Sequence, residues 1–177
     1  MKRRPTKIIF FDGDGTLWYP RTTKRTQKPH WIYHDSKIKG YKSLLILTPG
    51  VARTLRALRK RGVMTVVVST HPHGAKEADA IIKEKVRYFG LDTLFDEVHA
   101  ARGVPTGKGA VIERVLKRLG LPKSSALMVG DSYIWDYIAA KNVGVDGILM
   151  DAVYLNAAAG RVKRKIKNLE GVLRFID

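Results

Sequence analysis

No cysteine occurs among the 177 residues, which excludes disulfides, thiolate nucleophiles and zinc–thiolate sites together and leaves oxygen or histidine ligands for any metal. Long apolar runs are also lacking. None approaches the length of a membrane span, and Met1-Lys2-Arg3-Arg4-Pro5 leads towards a strand without the apolar stretch of a signal peptide, so a cytoplasmic protein with no membrane contact is expected. Acidic residues are scarce: 16 Asp and Glu stand against 33 Lys and Arg, a formal charge of +17. Such a surface attracts polyanions, and it leaves nucleic acid, phosphorylated metabolites and other anionic partners open. No internal repeat or low-complexity linker divides the chain, so residues 1–177 read as a single domain.

What is present is an alternation of short apolar segments with amphipathic ones. Strands are expected at residues 8–11, 65–68, 97–100, 126–129 and 147–150. Thr48-Pro49-Gly50 reads as a helix start, with a cap and a proline in the first turn; Val51, Leu55 and Leu58 share one face, bases fill the other, and Gly62 is a stop. Further helices are expected over residues 75–88, 108–119 and 133–142, with a short one over 168–175. This order predicts an α/β fold, a doubly wound (Rossmann-like) parallel sheet covered by helices on both faces, with ligands bound beyond the carboxyl ends of the strands. Residues 18–47 break the alternation and are too long for an ordinary connection, so they read as an insertion or flap over the site. That segment carries Arg21, Lys24, Arg25, Lys28, Lys37, Lys39 and Lys42 against Asp35, interleaved with Trp18, Tyr19, Trp31, Tyr33 and Tyr41. It reads either as a surface that steers anions and stacks on a ring, or as a basic flap whose aromatics pack onto the body.

The strand ends carry the chemistry. After the apolar residues 8–11 come Asp12 and Asp14, with Gly13 and Gly15 allowing a tight exit from the sheet. Alone, the pair also fits a loop or a calcium-binding turn. Ser69 and Thr70 follow the second strand, Asp131 follows Gly130 with Asp136 five residues on, and Lys108 lies 23 residues before Asp131. His71 and His73 follow Ser69-Thr70, where they either touch a leaving group or sit in an exposed loop. His30 and His34 have a spacing that a helix would turn to one side, but Pro29 and the neighbouring aromatics disfavour a helix there. The run 161–167, Arg-Val-Lys-Arg-Lys-Ile-Lys, reads as a solvated face rather than a nucleic-acid clamp.

In this order and spacing, Asp12-Gly13-Asp14-Gly15-Thr16, Ser69, Lys108 and Gly130-Asp131 followed by Asp136 resemble the haloacid dehalogenase (HAD) superfamily of aspartate-nucleophile phosphatases. The resemblance is to its capless or minimally capped branch, and Trp18 directly after the first motif is similar to the magnesium-dependent phosphatase group. It implies a HAD-like fold and a Mg²⁺-dependent phosphomonoesterase with Asp12 as nucleophile and Asp14 as general acid and base. The resemblance further implies Mg²⁺ held by Asp12, the backbone oxygen of Asp14, Asp131 and Asp136, phosphate contacts from Gly13, Ser69, Thr70 and Lys108, and substrate contact from Trp18. Thr16 buttresses the loop. Dehalogenation releases a halide that needs no proton, so Asp14 points to phosphate esters. The substrate is then a phosphorylated small molecule or macromolecule. A polynucleotide 3′-phosphatase or nucleotide phosphatase is the alternative, and a non-catalytic nucleic-acid-binding module on the same fold comes after it.

Overall fold

In a computed structural model, which describes residues 5–155 and 157–176 and so leaves Met1-Lys2-Arg3-Arg4 outside, the eight strands of the described residues are β1 (Ile8–Phe11), β2 (Trp18–Pro20), β3 (Leu45–Leu47), β4 (Met64–Ser69), β5 (Glu97–Ala100), β6 (Ala126–Gly130), β7 (Asp146–Met150) and β8 (Lys165–Ile166). All four residues of β1 are wholly buried, although their side chains alternate between two faces. Ile9 and Phe11 join the core formed with Val51, Leu55 and Leu58 of α2 (Val51–Lys60, after the one-turn α1, Trp31–His34), and with Ile82 and Val86 of α3 (Ala75–Tyr88). Ile8 and Phe10 face Val111, Ile112, Val115 and Leu116 of α4 (Gly107–Leu119), together with Ala140 of α5 (Ala139–Asn142). A strand covered on both faces needs apolar residues at every position, which is why the run at 8–11 is continuous.

The main sheet has six strands in the order β5-β4-β1-β6-β7-β8, all pairs parallel. Ile8 lies opposite Met64 on one side and Ala126 on the other, and Phe11 lies opposite Val67 and Val129. The doubly wound expectation therefore holds, with one strand more than the sequence suggested. Lys165 and Ile166, inside the basic run read as a solvated face, pair with Leu149 and Met150 because Val162 and Ile166 are buried while the bases between them point outward.

Three local expectations are corrected. Residues 133–142 do not form one α-helix: Tyr133–Ile138 wind as a wider π-helical coil, with Asp136 N and Tyr137 N both bonded to Ser132 O at 3.1 and 3.2 Å, before α5 begins. The closing segment, Leu169–Phe175, is 3₁₀ rather than α, capped where Asn168 Oδ1 accepts from Gly171 N at 3.2 Å. Thr48 does not cap α2; that position falls to Gly50 at φ 85°, a left-handed conformation suited to glycine. The Thr48 hydroxyl instead donates to Thr16 O at 2.6 Å and accepts from Arg25 Nη2 at 2.8 Å, tying the loop after β1 to the insertion.

Within residues 18–47, β2 and β3 pair antiparallel, Trp18 opposite Leu47, and α1 forms directly after Pro29, where a helix was disfavoured. Proline is tolerated just ahead of a helix, where no intrahelical donor is lost. Arg25 fastens the segment: its guanidinium donates to Gly15 O at 3.1 Å, to Thr48 and to Lys167 O at 3.4 Å. Among the described residues no helix is long and apolar enough to cross a membrane. Because Thr48 is buried and its hydroxyl serves two partners, Thr48→Val is expected to lower the free energy of unfolding by about 1–3 kcal/mol in urea titrations, the cost of orphaned polar groups.

Candidate active site

The chain passes from β1 to β4 and β5 on one side, then returns to β6 on the other, so the strand order reverses beside β1. A crevice opens there, outside the carboxyl ends of the strands. Asp12 follows β1 and Asp131 follows β6, and both line a cavity of about 460 Å³ with Lys108 and Asp136. The four side chains come from α4, the π-helical coil and the loops after β1 and β6, yet all are nearly inaccessible to solvent.

Asp12 Oδ1 accepts from Ser69 Oγ at 3.1 Å and from Lys108 Nζ at 2.5 Å; Oδ2 has one long contact, from Thr16 Oγ1 at 3.4 Å. Lys108 also donates to Asp136 Oδ1 at 2.5 Å, while Asp136 Oδ2 accepts from Ser132 N at 2.8 Å inside the π-helical coil. Asp131 accepts from the Tyr154 hydroxyl. Carboxylate oxygens of Asp12, Asp131 and Asp136 lie within 4.8 Å of one another. Two glycines make this crowding feasible. A Cβ at Gly15, which sits at φ 86°, would stand 2.0 Å from Asp131 Oδ2, and one at Gly130 would stand 2.2 Å from the Asp136 carboxylate.

Burial pushes the Asp131 carboxyl well above the usual range, and the negative charges of Asp12 and Asp136 push it further. Burial likewise raises Asp136 to about 6, with Lys108 opposing and Asp12 adding to the rise. Burial alone would lower Lys108, but the carboxylates of Asp12 and Asp136 outweigh it and hold the ammonium charged. Three carboxylates around one ammonium leave two negative charges unmatched, and a hard all-oxygen donor set of that charge suits a divalent cation such as Mg²⁺.

Asp14 lies elsewhere. Its side chain is fully buried and does not line the cavity. Oδ2 accepts from Lys85 Nζ at 2.9 Å; Oδ1 accepts from Trp18 Nε1 at 3.0 Å, from the Tyr33 hydroxyl at 2.5 Å and from Lys85 at 3.3 Å. Burial would raise its carboxyl, but the charges of Lys85 and His30 and the bonds from Tyr33 and Lys85 outweigh that and hold it below the usual range. Lys85, wholly buried on α3, was missed in the sequence; the signal was a lysine within the apolar stripe of Ala78, Ile82, Val86 and Phe89.

Other sequence readings shift in the same way. Trp18, expected at the substrate, is completely buried, stacked on Phe89 at 5.8 Å, and turned towards Asp14. The Ser69 hydroxyl, expected on a phosphoryl oxygen, donates to Asp12, and it also accepts from Gly13 N at 3.3 Å. Thr70 does line the cavity. So does His71, 94% buried at a relative exposure of 6%, which burial and Lys85 push down to about 3, leaving a neutral ring bonded to His73 at 2.7 Å. The flap contributes Lys28, Pro29, His30 and His34 to the cavity wall, while Trp31, Tyr33 and Tyr41 pack against the core, so its aromatics belong to the body. Tyr154 carried no sequence signal, and nothing set Arg25 apart from the other six bases of residues 18–47.

A family model described as haloacid dehalogenase-like hydrolase matches residues 21–144, a span that includes Ser69, Lys108, Asp131 and Asp136 and begins after Asp12 and Asp14. Glyceraldehyde 3-phosphate phosphatase of Pyrococcus furiosus is 29% identical over 125 residues, covering 66% of this chain and 48% of that protein. Pyrophosphatase PpaX of Listeria monocytogenes is 32% identical over 117 residues, covering 63% of this chain and 49% of that protein. The chain thus spans about half the length of the curated relatives it matches. Among solved structures, a predicted phosphoglycolate phosphatase from Haemophilus somnus superposes with a TM-score of 0.72 at 20% identity, covering 96% of this chain and 97% of that one. A HAD phosphatase from Thermococcus onnurineus gives 0.70 at 18% identity, covering 96% and 97%. At these identities the superpositions show the fold.

The raised Asp136 carboxyl has a measurable sign. Between its ordinary value and about 6 the folded state holds this proton more tightly than the unfolded chain, so stability falls as pH rises through that window. Relative to Asp136→Asn, which cannot ionise, the metal-free protein is expected to lose about 2 kcal/mol between pH 4 and pH 7, followed by urea unfolding.

Proposed function

This chain belongs to the haloacid dehalogenase-like hydrolase family, and from that membership we propose that it is a phosphomonoesterase which passes a phosphoryl group from a small phosphorylated molecule to Asp12 and then to water. One observation carries the reading. Asp12 lines the cavity with Oδ1 fixed by Ser69 and Lys108, while Oδ2 has only the 3.4 Å contact from Thr16. A carboxylate held by one oxygen and free at the other is an oriented nucleophile.

In the first step a lone pair of Asp12 Oδ2 bonds to phosphorus, the bond to the ester oxygen breaks, and that oxygen keeps the electron pair and takes a proton from Asp14. In the second, water attacks phosphorus and gives a proton to Asp14, and the aspartyl-phosphate bond breaks to restore the Asp12 carboxylate. Against Lys85, Asp14 is in the ionised form, the one that accepts the proton of water. Its acid form arises when the carboxyl turns from Lys85 into the cavity and takes a proton from water there, where the pairing that keeps it ionised is gone. Lys108, already between Asp12 and Asp136, offsets the repulsion between the Asp12 carboxylate and the phosphate brought up to it. Mg²⁺, held by Asp12, Asp131 and Asp136, with the Asp14 backbone oxygen as the family resemblance implies, would supply further compensation for the phosphoryl oxygens.

A small substrate is favoured because Trp18, Trp31, Tyr33 and Tyr41 are turned onto the body and are not free to stack on successive bases. Relatives named for glyceraldehyde 3-phosphate and pyrophosphate support the same choice. The flap's Lys28, with His30 and His34, stands at the cavity wall, where the non-transferred part of the substrate lies.

With p-nitrophenyl phosphate and Mg²⁺, phosphate release is expected, and Asp12→Asn should lower kcat by at least about 10³-fold; turnover near the wild-type rate by that variant would overturn the covalent route. Mg²⁺ alone should raise the melting temperature at pH 7.5 and do so less at pH 5, where Asp136 is mostly protonated and competes with the ion. Asp131→Asn should remove most of that shift.

A further inference from the structure

Lys85 is the one lysine besides Lys108 that is buried among the described residues, and the cavity does not use it. Its place on α3 calls for an apolar side chain, since Ala78, Ile82 and Val86 occupy the same buried face. A buried ion pair is weak support for a fold, because well-packed apolar residues in its place are commonly as stable or more so. The structure instead surrounds this ammonium with groups that serve one carboxylate. Lys85 Nζ donates to both oxygens of Asp14, at 2.9 and 3.3 Å, and to the Tyr33 hydroxyl, which in turn donates to Asp14 Oδ1 at 2.5 Å. The rings of Tyr33, Tyr41 and Trp18 stand 4.4, 5.4 and 5.9 Å from the ammonium, so three aromatics of residues 18–47 enclose it.

The flap therefore reaches the site in two ways: Lys28, His30 and His34 at the cavity wall, and Tyr33 behind it on the proton-transfer carboxylate. Tyr33 also packs against His71 with ring centroids 4.4 Å apart, and His71 lines the cavity, so one side chain touches both the wall and Asp14. We propose that Lys85 and Tyr33 are positioning residues for Asp14, holding its carboxylate in the withdrawn orientation and through it restraining how readily the protein protonates poor leaving groups. The proposal rests on the phosphomonoesterase reading, and neither residue lines the cavity. It gives residues 18–47 a role in the proton-transfer half of the reaction, beyond shaping the cavity.

The test compares phenyl phosphate, whose leaving group needs a proton, with p-nitrophenyl phosphate, whose leaving group needs it far less. The quantity read is kcat/KM, which covers steps up to departure of the leaving group. Tyr33→Phe removes a single hydroxyl and keeps the ring, and Lys85→Met removes the charge and keeps the length. Each should raise kcat/KM for phenyl phosphate about tenfold relative to that for p-nitrophenyl phosphate, and neither should change that ratio in an Asp14→Asn background. Equal changes on both substrates, no change on either, a fall in that ratio, or a change in it that persists in the Asp14→Asn background would overturn the inference. If Asp14→Asn itself fails to separate the two substrates, the proton-transfer reading of Asp14 falls and the inference with it. Should Lys85→Met fail to fold, Tyr33→Phe alone decides.

Discussion

Like charge held out of water is the constraint on which this structure turns. Asp12, Asp14, Asp131 and Asp136 are all nearly or wholly buried at one end of the sheet, and only Lys85 and Lys108 are buried with them. The lysines divide the work unevenly. Lys85 matches Asp14 alone, whereas Lys108 is shared by Asp12 and Asp136, and Asp131 has the Tyr154 hydroxyl. One carboxylate is thereby satisfied and set apart, and three are left with a surplus that invites a cation or the positive end of a reacting group. The same sheet edge thus contains a quiet acid and an electrically unsettled cluster, divided by which lysine stands where.

The wall between them is largely the segment after β1. Its aromatics are turned inward, its bases mostly outward, and Arg25 binds it to the carbonyls of Gly15 and Lys167 and to Thr48. Those contacts join the first loop, the start of α2 and the C-terminal strand. A segment fastened at that many points behaves as part of the domain, and its contribution to the cavity is fixed in place by the same bonds.

Much of this was legible in the sequence for a physical reason: strands buried on both faces leave unmistakable apolar runs, and acids directly after several such runs fall together at one edge of the sheet. That is why β1, Asp12, Lys108, Asp131 and Asp136 could be ordered along one edge from residue types and spacing alone. Lys85 was hidden because Lys83 and Glu84 make it look like one more member of an exposed charged stretch; only its phase relative to Ile82 and Val86 betrays it. Trp18 was misread because an aromatic beside a catalytic motif looks the same in sequence whether it faces substrate or core. β8 was obscured by the lysines that flank its one buried isoleucine, and the π-helical coil at 133–138 answers to a distant demand, bringing Asp136 back to Lys108.

Both margins of the sheet share one property with that hidden strand. β8 is two residues long, and exposed Lys163 and Lys167 stand on either side of it; at the opposite margin β5 carries Glu97 and His99, with Arg118 closing over Glu97. A foreign strand adding to either end would have to set its backbone beside charged side chains and strip them of water. The arrangement makes the domain a poor template for edge-to-edge growth. A domain with so concentrated a buried charge thus has its two open sheet margins guarded by charges of its own.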